Sequence, residues 1–180
     1  MNKTTLFVGV VFNGYWFLAV WGQYHYILFL QAILLCAWLC FRGSILFSLC
    51  VAMPGIWVDL LLKRFGFFSF PNSTDPLYQS FDPILPFWLI LLWLGFASMV
   101  WIMRDTLLSL PMKPLIVLGS VGGALSYLAG EKLGAISLPI GVPLTLPLLM
   151  LIWAALSYFL LKMLPKFSRL YARCQRHDSV

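Results

Sequence analysis

The sequence predicts an all-α protein, a polytopic transmembrane helix bundle of about six spans with a short basic amphipathic helix at its C terminus. Three observations carry that reading. Of 180 residues only 10% are charged and 62% are hydrophobic, with a mean hydropathy of +0.92; a soluble domain carries about a quarter charged residues. Five uncharged apolar stretches, Thr4–Phe41, Ser44–Val58, Pro83–Met103, Pro114–Gly130 and Leu133–Leu161, fill the chain, and nearly every lysine and arginine stands at their ends. Their lengths suit helices, because crossing ~30 Å of hydrocarbon at 1.5 Å per residue takes roughly 20 residues.

Thr4–Phe41 is too long for one crossing, so it is read as two helices. The break falls at Gly22-Gln23-Tyr24-His25, the polar cluster of that run, between Trp21 and Tyr26, aromatics of the kind that settle at the membrane interface. This gives spans at 5–21 and 26–41. The third (44–62), fourth (84–103) and fifth (115–130) are each closed by charge, at Lys63-Arg64, Arg104-Asp105 and Glu131-Lys132. The sixth covers 143–161. Pro139, Pro143 and Pro147 precede or open it, so 133–142 is expected to be a turn or partly inserted segment. An even number of spans puts both termini on one side. That side holds Lys3, Arg42, Arg104, Lys113, Lys162, Lys166, Arg169, Arg173 and Arg176, and the other only Lys63, Arg64 and Lys132, so the termini are expected in the cytoplasm.

The net charge of +6 is then a topology signal and not a sign of nucleic-acid binding. The N terminus has the basic and apolar parts of a signal peptide, but bulky Asn13-Gly14-Tyr15-Trp16 follows without a small-x-small site, and retention as a helix is expected. No repeat at fixed period is visible. One membrane domain over 1–162 with a basic cytoplasmic tail over 163–180 is the expected organisation. The outer loop Phe65–Asp82 reads as an interfacial aromatic segment followed by a turn, within which Asn72-Ser73-Thr74 is formally a glycosylation sequon.

Few residues carry recognisable chemistry. Cys36 and Cys40 lie one turn apart in the second span, Cys50 in the third and Cys174 in the tail, with no His, Asp or Glu near them in sequence; packing thiols are the reading, with neither metal nor cofactor expected. His25 and His177 form no paired motif. Asp59 stands out, because a carboxylate inside a span must be solvated, paired or protonated. Two readings stay open: an i,i+4 pair with Lys63 at the wetted interface, or a side chain facing the interior and lining an outward-opening polar crevice, with Pro54-Gly55 loosening the helix one turn below. On the fifth span Ser120, Gly123, Tyr127 and Glu131 recur at helical spacing as a polar stripe. Gly119, Gly122, Gly123, Ser126 and Gly130 supply the small residues that let another helix approach. Asn13, in mid-membrane, bonds a neighbouring helix or a ligand. In the tail Lys162, Lys166, Arg169, Arg173 and Arg176 define one face and Met163, Phe167, Leu170 and Cys174 another, predicting a helix beyond Pro165 that lies on anionic lipid at about 1 kcal/mol per charge.

Several blocks resemble a known family: Asn13 with Trp16–Val20, Pro54-Gly55-Ile56-Trp57-Val58-Asp59, Leu85-Pro86-Phe87-Trp88-Leu89 through Leu92-Trp93-Leu94-Gly95-Phe96-Ala97, and the glycine-rich run from Gly119 to Ala135. They are similar to the blocks of domain-of-unknown-function family 2878, small bacterial inner-membrane proteins, over roughly 5–160. That family often has Gly-Pro where this chain has Gly123-Ala124. The resemblance implies a bacterial inner-membrane location and, since members are commonly encoded beside genes for fatty-acid modification, a lipid-linked role; it implies no reaction. Residue chemistry and resemblance together put a ligand at Asn13, Asp59, Trp93, Tyr127, Glu131 and Lys132. The expected function is binding or passing a lipidic or small amphipathic molecule, with membrane lipids as partners. The alternatives are a membrane enzyme or its membrane subunit, and a structural partner of another membrane protein.

Overall fold

A computed structural model describes residues 3–71 and 84–177, with the side chains of 3, 4 and 175–177 excluded. The sequon, the rest of the outer loop and the side chain of Arg176 therefore lie outside the described residues. Among the described residues seven helices follow in order: α1 (Lys3–Gly22), α2 (Ile27–Cys40), α3 (Ser44–Arg64), α4 (Phe87–Ile102), the short α5 (Arg104–Ser109), α6 (Met112–Lys132) and α7 (Val142–His177). Among the described residues α1, α3, α6 and α7 are long and apolar enough to cross a membrane, and α2 and α4 are shorter apolar helices. The protein is a helical transmembrane bundle. α3 packs on α4, α6 on α7, and α1 and α2 both lie against α4.

The tail is helical but is no separate element. α7 runs unbroken through Pro165, because the bundle occupies its apolar side. Leu164 is fully buried, Phe167 stands edge-on to Phe47 with centroids 5.5 Å apart, and Tyr171 does the same to Trp101 at 5.6 Å. Lys162, Lys166, Arg169 and Arg173 face outward. We call this the basic end of the bundle, and the opposite end the bridged end.

The bridged end reveals an internal repeat, where the sequence showed none. α3 and α6 stop alike: Gly66 and Gly134 take φ of 75° and 73°, and the next residue's N–H, of Phe67 or Ala135, returns to the carbonyl of Leu62 or Gly130 at 2.9 Å. This is the Schellman cap, which needs the left-handed conformation that glycine adopts without strain. A short extended piece follows each cap, and the two pair through Ser69 and Ser137, each donating its N–H to the other's carbonyl at 3.0 and 2.9 Å. Ser137 lies 68 residues after Ser69, and the same offset in sequence aligns Gly55 with Gly123, Asp59 with Tyr127, Leu60 with Leu128, Gly66 with Gly134 and Pro71 with Pro139. In the helices that follow, an offset of 60 sets Trp93 on Trp153.

Three of these equivalent pairs touch each other: Ser69 with Ser137, Asp59 with Tyr127 and Trp93 with Trp153. Only residues near a two-fold axis meet their own counterparts, so the hairpins α3–α4 and α6–α7 are related by a pseudo-two-fold axis. Both run in the same direction, and the axis lies along the bundle, the arrangement of parallel repeats in membrane proteins.

Candidate functional site

The axis passes through the most polar point of the interior. Asp59, on α3, is completely buried. The Trp93 indole N–H, from α4, donates to its Oδ2 at 2.7 Å, and the Tyr127 hydroxyl, from α6, donates to its Oδ1 at 2.5 Å. A buried carboxyl group is tolerable only when its oxygens are hydrogen-bonded, and here two neutral donors from two other helices do this. Of the two sequence readings, the structure places Asp59 in the interior. The Lys63 ammonium donates to the Ile84 carbonyl at 3.2 Å and lies 5.7 Å from the Phe70 ring centroid.

Trp93 in turn stacks on Trp153 of α7, the rings 5.2 Å apart and within 11° of parallel. Each indole lies against a glycine of its own hairpin. A Cβ on Gly55 would stand 2.4 Å from Trp93, and one on Gly123 would stand 2.0 Å from Trp153. The equivalent glycines thus make the slots for the equivalent tryptophans. Phe96 closes edge-on to both rings, at 6.0 Å from Trp93 and 5.6 Å from Trp153.

These aromatics form one wall of a cavity of about 570 Å³ bounded by α1, α4, α6 and α7. Trp16, Trp88, Trp93, Trp153, Phe12, Phe70, Phe96 and Tyr127 line it, with Asn13, Ser126 and Ser157 as polar side chains and, among the described residues, no Asp, Glu, Lys, Arg or His. Asp59 is not part of the lining; it holds two residues that are. The cavity runs from Ala135 and Ile136 at the bridged end to Leu107 and Leu115 at the basic end, an apolar hollow along the bundle in place of the polar outer crevice expected around Asp59.

The structure brings Asp59, Trp93 and Tyr127 together and puts Asn13 across the cavity, where its amide donates to the Gly9 carbonyl of its own helix at 2.8 Å. Glu131 and Lys132 stand apart. Glu131 accepts the Leu138 backbone N–H at 3.3 Å, tying the extended piece to α6, and Lys132 is exposed. Glu131→Gln keeps that acceptor, so its melting temperature in detergent should fall by no more than the equivalent of about 0.5 kcal/mol, the range of a neutral surface change. Of the small residues, Gly119 packs against Ser157, Gly123 against Trp153, and Gly122 meets open space. Among the described residues no three His, Cys, Asp or Glu side chains converge. Trp153 and Ser157 were not anticipated, and Gly55, read as loosening its helix, is instead the slot for Trp93. The signal for Trp153 and Gly55 was present, a glycine and a tryptophan recurring in two apolar hairpins.

No curated protein and no solved structure matches the chain. The family described as protein of unknown function (DUF2878) matches residues 5–159, nearly the whole membrane bundle. The chain belongs to that family.

Proposed function

We propose that the protein holds the apolar part of a neutral, lipid-soluble molecule in the aromatic cavity, with Asp59 as the hub that fixes Trp93 and Tyr127 in its wall. One observation carries this reading: a hollow of about 570 Å³ with no charged side chain in its lining among the described residues. That volume falls within the range of small-molecule sites, about 300–1,000 Å³. An ionised group brought into the hollow would lose its hydration and meet no counter-charge, a penalty of several kcal/mol. A neutral chain meets ring faces, and Asn13, Ser126 and Ser157 offer hydrogen-bonding groups to a hydroxyl or carbonyl.

In the same proposal the host membrane is the bacterial inner membrane, both termini face the cytoplasm, and the exposed Lys162, Lys166, Arg169 and Arg173 of α7 lie near anionic headgroups, where each contributes about 1 kcal/mol. Dibromostearyl alcohol is the probe for the cavity. Native mass spectrometry of the detergent-solubilised protein is expected to show a one-to-one complex with it, and dibromostearic acid at pH 8 is expected to bind at least about tenfold more weakly, ~1.4 kcal/mol. Equal binding of acid and alcohol removes the neutral-ligand reading.

A further inference from the structure

The two hairpins of the repeat pack their equivalent seams differently. On one side α3 closes on α7, where Phe47 meets Phe167 edge-on at 5.5 Å. Their counterparts by the two offsets, Leu115 of α6 and Leu107 of α5, line the cavity instead. The equivalent seams of the two hairpins thus differ within one molecule, one shut and one open. Packed interfaces of this kind have two discrete arrangements more readily than a continuum.

At the bridged end the seam is shut. The reciprocal Ser69 and Ser137 bonds join the repeats there, and Phe68, fully buried, fills the space beside Tyr127 with ring centroids 5.6 Å apart. Along α1 and α6 the opposite holds. Asn13 and Leu118 line the cavity and are exposed. Gly9 and Gly122 line it too, and a Cβ on either would meet nothing within 4 Å. The cavity thus reaches the lipid-facing surface through an unpacked seam.

We propose that this seam is a lateral portal. A neutral lipid-soluble molecule enters the cavity sideways, between α1 and α6, while α6 and α7 swing about the Ser69–Ser137 bridge; closing the portal brings Leu115 towards Leu107 as Phe47 already meets Phe167. The inference rests on the cavity being a ligand site. It adds the route, and it assigns the bridge as pivot and Gly9 and Gly122 as the residues that keep the route clear. Rocking of one parallel repeat against the other about a shared site is the motion this symmetry allows.

The test follows the rate at which protein in proteoliposomes acquires dibromostearyl alcohol, read as the one-to-one complex by native mass spectrometry. Gly9→Phe combined with Gly122→Phe should slow acquisition at least about tenfold, and Gly122→Phe alone should slow it in the same direction if the double variant does not fold. Gly14→Phe, on α1 at an equally open position that does not line the cavity, should leave the rate unchanged. A disulfide between Ser69→Cys and Ser137→Cys, in a background with the native cysteines replaced, should also leave it unchanged; hydrogen-bonded antiparallel pairs stand about 5.5 Å apart at Cα, within disulfide reach. A wild-type rate in Gly122→Phe, or loss of entry on forming the disulfide, overturns the portal while the cavity remains a ligand site. Failure of the unmodified protein to acquire the alcohol at all removes the ligand reading and the portal with it.

Discussion

Asp59→Ala is expected to be among the most destabilising single substitutions in the bundle. It leaves the Trp93 indole N–H and the Tyr127 hydroxyl proton, both of which Asp59 accepts, without that acceptor beside a fully buried position, while the Tyr127 hydroxyl keeps its bond with Trp153. An unsatisfied buried donor costs about 1–3 kcal/mol, so the pair amounts to several kcal/mol, a large part of a typical stability of about 5–15 kcal/mol. Asp59→Asn retains one acceptor oxygen and turns its amide donors on the other partner, so roughly half of that loss is expected. Tyr127→Phe keeps the Trp93 bond but removes both the donor to Asp59 and the partner of the Trp153 indole, so it should fall beside Asp59→Asn and short of Asp59→Ala. Thermal denaturation in one detergent should place Asp59→Ala below the other two, with binding of dibromostearyl alcohol falling in parallel. If Asp59→Asn melts as wild type does, the carboxyl group is not what holds the two rings.

The order of effects also shows how much of this molecule could be read before its structure. The helical bundle was legible because hydrocarbon imposes a length on apolar runs and charge marks their ends; the helix α3 begins at Ser44 and α2 is short. The importance of Asp59 was legible from the same rule, since a lone carboxyl group in an apolar run demands partners. Its partners were not. Trp93 lies 34 residues away and Tyr127 lies 68, and neither distance leaves a local pattern.

The repeat was hidden for a different reason. Its two helices align in sequence with offsets of 68 and 60, because the connections between them differ in length, so no single period spans the hairpin. What survives is sparse: Gly55 with Gly123, Gly66 with Gly134, Ser69 with Ser137, Trp93 with Trp153. These are positions where backbone conformation or ring stacking leaves few alternatives, while the lipid-facing positions between them accept almost any apolar side chain. The tail was misread as a separate surface helix because its alternating faces look the same whether the apolar one meets lipid or, as here, Phe47 and Trp101.

The second large effect is expected at neighbouring glycines of α6, with opposite signs. Gly123→Ala places a methyl group 2.0 Å from the Trp153 ring, and that ring cannot retreat, because Trp93 is stacked on its other face at 5.2 Å. Overpacking of this kind typically costs about 1–3 kcal/mol, more than the ~1 kcal/mol by which alanine is favoured over glycine within a helix. Gly55→Ala should behave alike, since its methyl would stand 2.4 Å from Trp93. Gly122→Ala meets nothing within 4 Å and keeps only the favourable term, so it should raise the melting temperature where its neighbour lowers it. Trp153→Leu supplies the control. In that background the ring is gone, and Gly123→Ala should lose most of its penalty, a coupling a double-mutant cycle reads directly. If Gly123→Ala stabilises the protein as much as Gly122→Ala does, the glycine and tryptophan sandwich is not the core of this bundle.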